Sequence, residues 1–491
     1  MLTHMFASPV ETDIAPSGSL LGLLQRGRGD GALHALAAPR AEALAALEQC
    51  VLRDPRRDWR MEHRSLYYAR LHRDLDAGLE AVEDHLFHPD DTRDSDGTDP
   101  EEVEEERTGL ALSVLGHLAS YKNTEALRLL RRYAATGANW RWALDELAVR
   151  DSDEALRALG PQVLERFPRT PDGDAALAAA LRDAFEPRPW RLWAEDGQRP
   201  GQRARLERAR QEGSFDRWQR QLRPARPQPG WSVDSVLDWA VEGYEREPRQ
   251  WREAPAARCL GAVAGPADRN RLLSAAAGGH PAARAAALRH LAERADDAVV
   301  GLIGTAAGDP DPDVSRAAVT AFSRMRHDPR ALAAARQWAG RADDLGFAAA
   351  AMLAGLGDAT DAPRVLAALR RAVRTLGAQA PQLLPLTEGV GRLTVAAAAP
   401  VLRYVYRETA SSQLRGQAAR SLASVDPDFP SGLAVECLWD CEESTREVAA
   451  RFAATGDERV VERLRRLAAD PAERDGVQTA VRGRLAGPAG R

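Results

Sequence analysis

Lysine is all but missing from this chain: Lys122 is the one lysine among 67 basic residues, and the rest are arginine. Arginine standing in for lysine throughout is what a GC-rich coding sequence produces, and it is read that way here rather than as a nucleic-acid footprint. From Trp231 to Arg491 there are 34 arginines against 33 acidic residues, so that half carries no overall basic character of the kind duplex binding requires. Cysteine is scarce too. Cys50, Cys259, Cys437 and Cys441 are too few and too scattered for a disulfide framework. Cys437 and Cys441 stand one helical turn apart with no histidine nearby, so buried thiols are expected rather than a metal site. Long apolar runs are absent: Leu20–Leu24 is too short for a signal or a membrane span, so no membrane contact and a cytoplasmic location are expected. There is no Gly-rich phosphate loop, no nucleophile elbow and no metal-ligand set with specific spacing. No catalytic residue, cofactor or metal is therefore assigned, and the balance lies against an enzyme.

What is present is repetition. Asp309–Met325 opens with an acid at the N-cap position (Asp311), proline at the first helical position and Asp313 in the first turn, three features that favour a helix start. Val314, Ala317, Ala318, Ala321, Phe322 and Met325 then form one apolar stripe at helical spacing. Leu260, Leu291, Phe322 and Leu353 follow one another at intervals of 31 residues. After a longer step come Leu393, Leu422 and Phe452. A small residue precedes most of these anchors by four positions (Ala256, Ala287, Ala318, Ala349, Gly389, Ala418), and a second helical pattern lies between anchors. A period near 30 with two helices per unit predicts an all-α fold, an α-solenoid of stacked helical hairpins.

The unit resembles a HEAT repeat, and its shortness makes it similar to the HEAT-like repeats named after phycobilisome lyases. The steps Ala283-Arg284, Leu414-Arg415 and Thr445-Arg446 carry the resemblance at the start of the second helix. Ser315 displaces Arg316 by one position, and Gly346-Phe347 has no arginine. The resemblance covers about Trp231 to Pro488 and implies the fold; the stacking of hairpins then suggests a scaffold that binds another protein on its concave face. Arg284, Arg316, Arg415 and Arg446 either line that face or form an internal ladder with the Asp-rich turns.

The rest of the chain is read as a loose tail (1–19), an N-terminal helical region of divergent repeats (20–185) and a connector rich in Arg, Trp and Pro (186–230), ahead of the array (231–488). Pro89–Glu106 holds ten acidic residues and little that is apolar, which predicts a mobile acidic loop. The connector carries Trp190, Trp193 and Trp218 with eleven arginines. Such residues suit a docking surface or stacking on single-stranded bases, or else the tryptophans plug the joint between two helical halves while the arginines pair with Glu195, Asp196, Glu207, Glu212 and Asp216. His63, His72, His85 and His88 lie among acids but show no His-Glu pair of the kind found in HEAT-like iron hydroxylases. The rival reading is a HEAT-like DNA-binding protein or alkylpurine DNA glycosylase, with Asp145 near Trp140 and Trp142 as its acid. A protein-binding scaffold or adaptor is favoured over it.

Overall fold

The computed structural model describes residues 14–56, 63–88, 100–221, 230–246 and 253–486, without the side chains of 100–106 and 212–221. Twenty-eight α-helices and no strand lie among the described residues, the all-α solenoid class that the 31-residue period predicts. The first twelve are α1 (Leu20–Gln25), α2 (Gly29–Ala37), α3 (Arg40–Leu52), α4 (Arg64–Asp74), α5 (Glu80–Leu86), α6 (Pro100–Ser120), α7 (Thr124–Thr136), α8 (Trp140–Arg150), α9 (Asp153–Leu164), α10 (Pro171–Asp183), α11 (Arg188–Ala194) and α12 (Pro200–Gln221). Then come α13 (Val233–Arg246), α14 (Glu253–Val263), α15 (Arg269–Ala277), α16 (Pro281–Glu293), α17 (Val299–Ala306), α18 (Pro312–Arg324), α19 (Pro329–Trp338), α20 (Asp344–Leu356), α21 (Ala362–Leu376), α22 (Leu383–Arg392) and α23 (Ala399–Glu408). The last five are α24 (Ser412–Val425), α25 (Leu433–Cys437), α26 (Glu443–Phe452), α27 (Glu458–Ala469) and α28 (Asp475–Ala486).

Helix starts follow the capping chemistry written in the sequence. Asp311, Asp328, Asp343 and Asp457 each accept a hydrogen bond from a first-turn amide at 2.9 Å, ahead of α18, α19, α20 and α27. One start differs from expectation. Residues 89–99 of the acidic stretch lie outside the described residues, but Pro100–Glu106 forms the first two turns of α6 rather than a loop. The buried stripe beginning at Leu110 nucleates this helix, proline suits its first position, and the glutamates lie at the positive end of its dipole.

The chain divides into two compact units, 1–223 with 407–419 and 427–491, and 224–406 with 420–426. In the second unit the alternate helices α14, α16, α18, α20 and α22 pack one on the next, and α15, α17 and α19 stack in parallel register beside them. Small residues set the spacing: a Cβ on Gly389 of α22 would come within 2.3 Å of the Cβ of Ala354 on α20. Leu260, Leu291, Phe322, Leu353 and Leu422 are buried, whereas Leu393, just past the end of α22, is half-buried. Phe452 is 43% exposed, because it closes α26 and the neighbouring α28 sends Arg484 to the carbonyl of Ala453 there, not an apolar side chain.

In the first unit a continuous apolar core runs from Leu20 to Ala209 and takes in Cys441 from the far end of the chain. Helix α2 packs on α25, and the amide of Cys441 donates to the Gly27 carbonyl at 2.8 Å. The approach is so close that a Cβ on Gly29 would fall 1.8 Å from the Glu436 carbonyl oxygen. Arginines clasp the same seam. Arg28 donates to the Arg407 carbonyl at 2.7 Å, Arg56 to that of Ala410 at 2.8 Å, and Arg70 to Asp470 and Glu473 at 2.9 and 3.0 Å. Residues 407–419 and 427–491, which the sequence groups with the repeat array, thus share a core with the first 223.

Candidate functional site

The arginines singled out in the sequence stand at one register. Arg284, Arg415 and Arg446 are each the fourth residue of their helix, in α16, α24 and α26. Each reaches an acid just ahead of the next alternate helix: Arg284 to Asp309 at 2.6 Å, Arg415 to Asp440 at 2.7 and 3.1 Å, Arg446 to Glu473 at 2.7 and 2.8 Å. A guanidinium fork matches a carboxylate in two bonds at once, which a lysine cannot do. In α18 the fourth residue is Ser315, which bonds the Ala307 carbonyl, and Arg316 turns outward to pair with Asp313 of its own helix at 2.8 Å. The structure thus builds an internal ladder from Arg284, Arg415 and Arg446 and leaves Arg316 exposed.

A second arginine ladder, not foreseen from sequence, serves the other helix ends. Arg294, Arg392 and Arg484, at the ends of α16, α22 and α28, donate to the last carbonyls of α14, α20 and α26. Arg166, just past α9, does the same for α7, at the carbonyls of Ala134 and Gly137. Helix C-termini carry unpaired carbonyls and partial negative charge, so a cation from the neighbouring hairpin satisfies both. The available signal was an arginine near a helix end 29 to 38 residues after the carbonyls it meets.

Trp190 and Trp193 of α11 are buried, and Trp140 packs edge-on against Trp190 at 6.3 Å, with Trp190 and Trp193 at 5.0 Å. The indole of Trp193 donates to the Leu156 carbonyl at 2.6 Å. These rings form core, and the arginines nearby pair with acids: Arg199 with Asp196 inside the connector, but Arg188 with Asp153 and Arg205 with Asp174 of the preceding helices α9 and α10. The side chain of Trp218 lies outside the described residues. Around Asp145, Trp140 is buried in this core and Trp142 donates its indole N–H to Ser113 Oγ at 2.8 Å. Burial pushes the Asp145 carboxyl up to about 6, and the Glu186 amide is its hydrogen-bond donor at 3.2 Å. Of the clustered histidines, His72 bonds the Gly78 carbonyl and His85 that of Arg107, while His63 borders a cleft. Cys50, Cys259, Cys437 and Cys441 are free and buried.

Among the described residues, two surfaces offer a place for a partner or ligand. On the alternate-helix row, α18 presents Val319, Thr320 and Ser323, and α20 presents Ala348, Ala351 and Gly355, all partly or fully exposed, small and uncharged. The other surface is a cleft of about 400 Å³ in the first unit, bordered by the ends of α6 and α8 (His117, Ser120, Arg150) and the starts of α26 and α28 (Glu443, Arg474, Asp475). Arg446 and Glu473 line it and belong to a buried charge quartet. Arg70 lies between Asp470 and Glu473, Arg446 pairs with Glu473, and Tyr121 donates to Asp470 at 2.9 Å. Burial works to raise the Glu473 pKa, but Arg446 and then Arg70 outweigh it and hold the carboxyl at about 2.

Residues 269–354, from α15 to near the end of α20, match the family model of HEAT repeats. HEAT repeats are thus shown for this stretch of the chain. No curated protein matches the chain at a significant level. The matched HEAT repeats contain the cap of α18, the Arg284–Asp309 pair and the small-residue face of α18 and α20. Among the described residues no helix is long and apolar enough to cross a membrane.

Proposed function

We propose that this HEAT-like repeat protein is a protein-binding scaffold or adaptor whose working surface is the row of alternate helices in the 224–406 unit. The observation that carries the reading is the character of that row. Between the exposed Arg316 and Arg324 of α18 and beside α20 runs a patch of small, uncharged positions (Val319, Thr320, Ser323, Ala348, Ala351 and Gly355), where a partner's larger side chains can approach the helix backbones closely. Two arginines of this row are engaged with the protein's own groups, Arg284 with Asp309 and Arg392 with the last carbonyls of α20. The short repeat, with Ala283-Arg284, Leu414-Arg415 and Thr445-Arg446 at the second-helix start, supports kinship with the phycobilisome-lyase type of HEAT repeat, used here for partner binding in the cytoplasm.

The test is affinity capture from native lysate with the wild-type chain and a Thr320→Arg/Ala351→Arg variant, beside a salt-titrated duplex-DNA binding assay. A protein recovered by the wild type and lost by the variant, at unchanged thermal unfolding, supports the scaffold. A salt-sensitive duplex complex with no protein partner recovered overturns it in favour of the glycosylase-type reading.

A further inference from the structure

We infer that the cleft in the first unit is a binding site for a small zwitterion of the amino-acid class, its carboxylate seated between Arg150 and His117 and its ammonium group on Glu443 and Asp475. This does not rest on the scaffold reading, since the cleft and the α18–α20 face share no residue.

The first ground is unmet hydrogen bonding. His117 Nδ1 is shut off from solvent and has no partner, in a protein interior where such groups are nearly always satisfied. Arg150 uses its Nε on Ser120 Oγ at 2.9 Å and its Nη1 on Glu146 at 2.5 Å; its Nη2 has no partner among the described residues. Arg474 has its nearest acid, Glu443, 3.6 Å from Nε, which leaves both terminal nitrogens open. The cleft therefore offers donors beside an imidazole, at a volume within the range of about 300–1,000 Å³ that small-molecule sites occupy.

The second ground is how charge is laid out. Burial first, and then the neighbouring Arg150, Arg70 and Arg474, take the His117 pKa down to about 3. A carboxylate placed there meets the open Nη2 of Arg150 and an imidazole ring nitrogen able to share a hydrogen bond. Arg70 and Arg446 are neutralised by Asp470 and Glu473, and Arg150 by Glu146, so the open charges are Arg474 against Glu443 and Asp475. Glu443 and Asp475 stand at the starts of α26 and α28, both more exposed than Arg150. A ligand carrying one charge of each sign matches this balance. A dianion would meet two acids at the mouth, and an amine without an acid group would leave Arg150 and His117 unpaired.

The experiment is thermal shift and titration calorimetry of the full chain against a panel of common L-amino acids, with the matching decarboxylated amines, the matching des-amino acids and inorganic phosphate as separate arms. The expected result is a saturable stabilisation by one or a few amino acids that is lost by about tenfold or more in affinity in both Arg150→Gln and His117→Gln. The paired variant set covers the case in which the loss of the Arg150–Glu146 pair unfolds the chain, because His117 makes no hydrogen bond that its replacement would remove. Glu443→Gln/Asp475→Asn is expected to erase the preference for the amino acid over its des-amino form. Binding that survives both Arg150→Gln and His117→Gln overturns the assignment, as does an equal response to phosphate or amine, or no response to any amino acid.

Discussion

Arg415 and Asp440 are wholly enclosed, with side-chain exposures of 0% on both sides, and they hold each other by two bonds. Removing one partner leaves the other as an uncompensated buried charge, so Arg415→Ala is expected to cost about 3–5 kcal/mol in denaturant unfolding. A paired Arg415→Met/Asp440→Leu replacement should recover most of that loss. Arg316, outward-facing and paired only within its own helix, should give no measurable change on replacement by alanine. The contrast separates a ladder arginine from a surface one. Asp145 gives a second test at this scale. Its carboxyl is pushed up to about 6 by burial, so its contribution is fully present below the unfolded value of about 3.8 and is lost as pH rises through about 6. Asp145→Asn should therefore raise stability at pH 7.5 by about 1 kcal/mol, allowing for partial solvent screening, and change little at pH 3.5. Glu473 has the opposite sign. Held at about 2, it contributes stability above about 4.3, lost as pH falls through about 2, and Glu473→Gln should flatten the acid-unfolding curve in that window.

Helix by helix, the anchors make the period testable. Phe322 is fully buried on α18, and Phe322→Ala should cost about 3–5 kcal/mol. Phe452, at the same phase of the repeat but 43% exposed, should cost well under half as much by the same unfolding assay. The start and buried face of α18 were fully legible in the sequence: Asp311 caps, Pro312 leads, and Val314, Ala317, Ala318, Ala321, Phe322 and Met325 are all buried. Those features depend on residues within one turn or one helix of each other, where chain connectivity already fixes the geometry. Phe452 and Leu393 were not legible, because burial at a helix end depends on what the next hairpin sends there. The tryptophans of α11 were ambiguous for a similar reason. An amphipathic ring suits a core and an interface equally well, and only the packing of α8 and α9 around it decides.

For the molecule as a whole, the joining of the first 223 residues to 407–419 and 427–491 carries a direct expectation. A chain ended after Gly456 loses α27 and α28 and with them Asp470 and Glu473, which leaves Arg70 and Arg446 buried without their acids. Hydrogen exchange should then accelerate at the amides of α4 and α6, far away in sequence, while α16–α20 keep their protection. Acceleration confined to residues beyond 427 would show that the seam adds nothing to the N-terminal helices.

By itself the sequence determined that this protein is helical, that its hairpins recur at about 31 residues, and where the arginines of the first ladder fall, because period and capping are local properties of the chain. Tertiary structure alone decided that Arg446 faces Glu473 rather than a partner, that Gly29 admits the carbonyl of Glu436, and that His117 and Arg150 share a cleft with Asp475. These pairings join residues up to about four hundred positions apart, and no sequence pattern ranks one such encounter above another until burial has chosen which charges must be met.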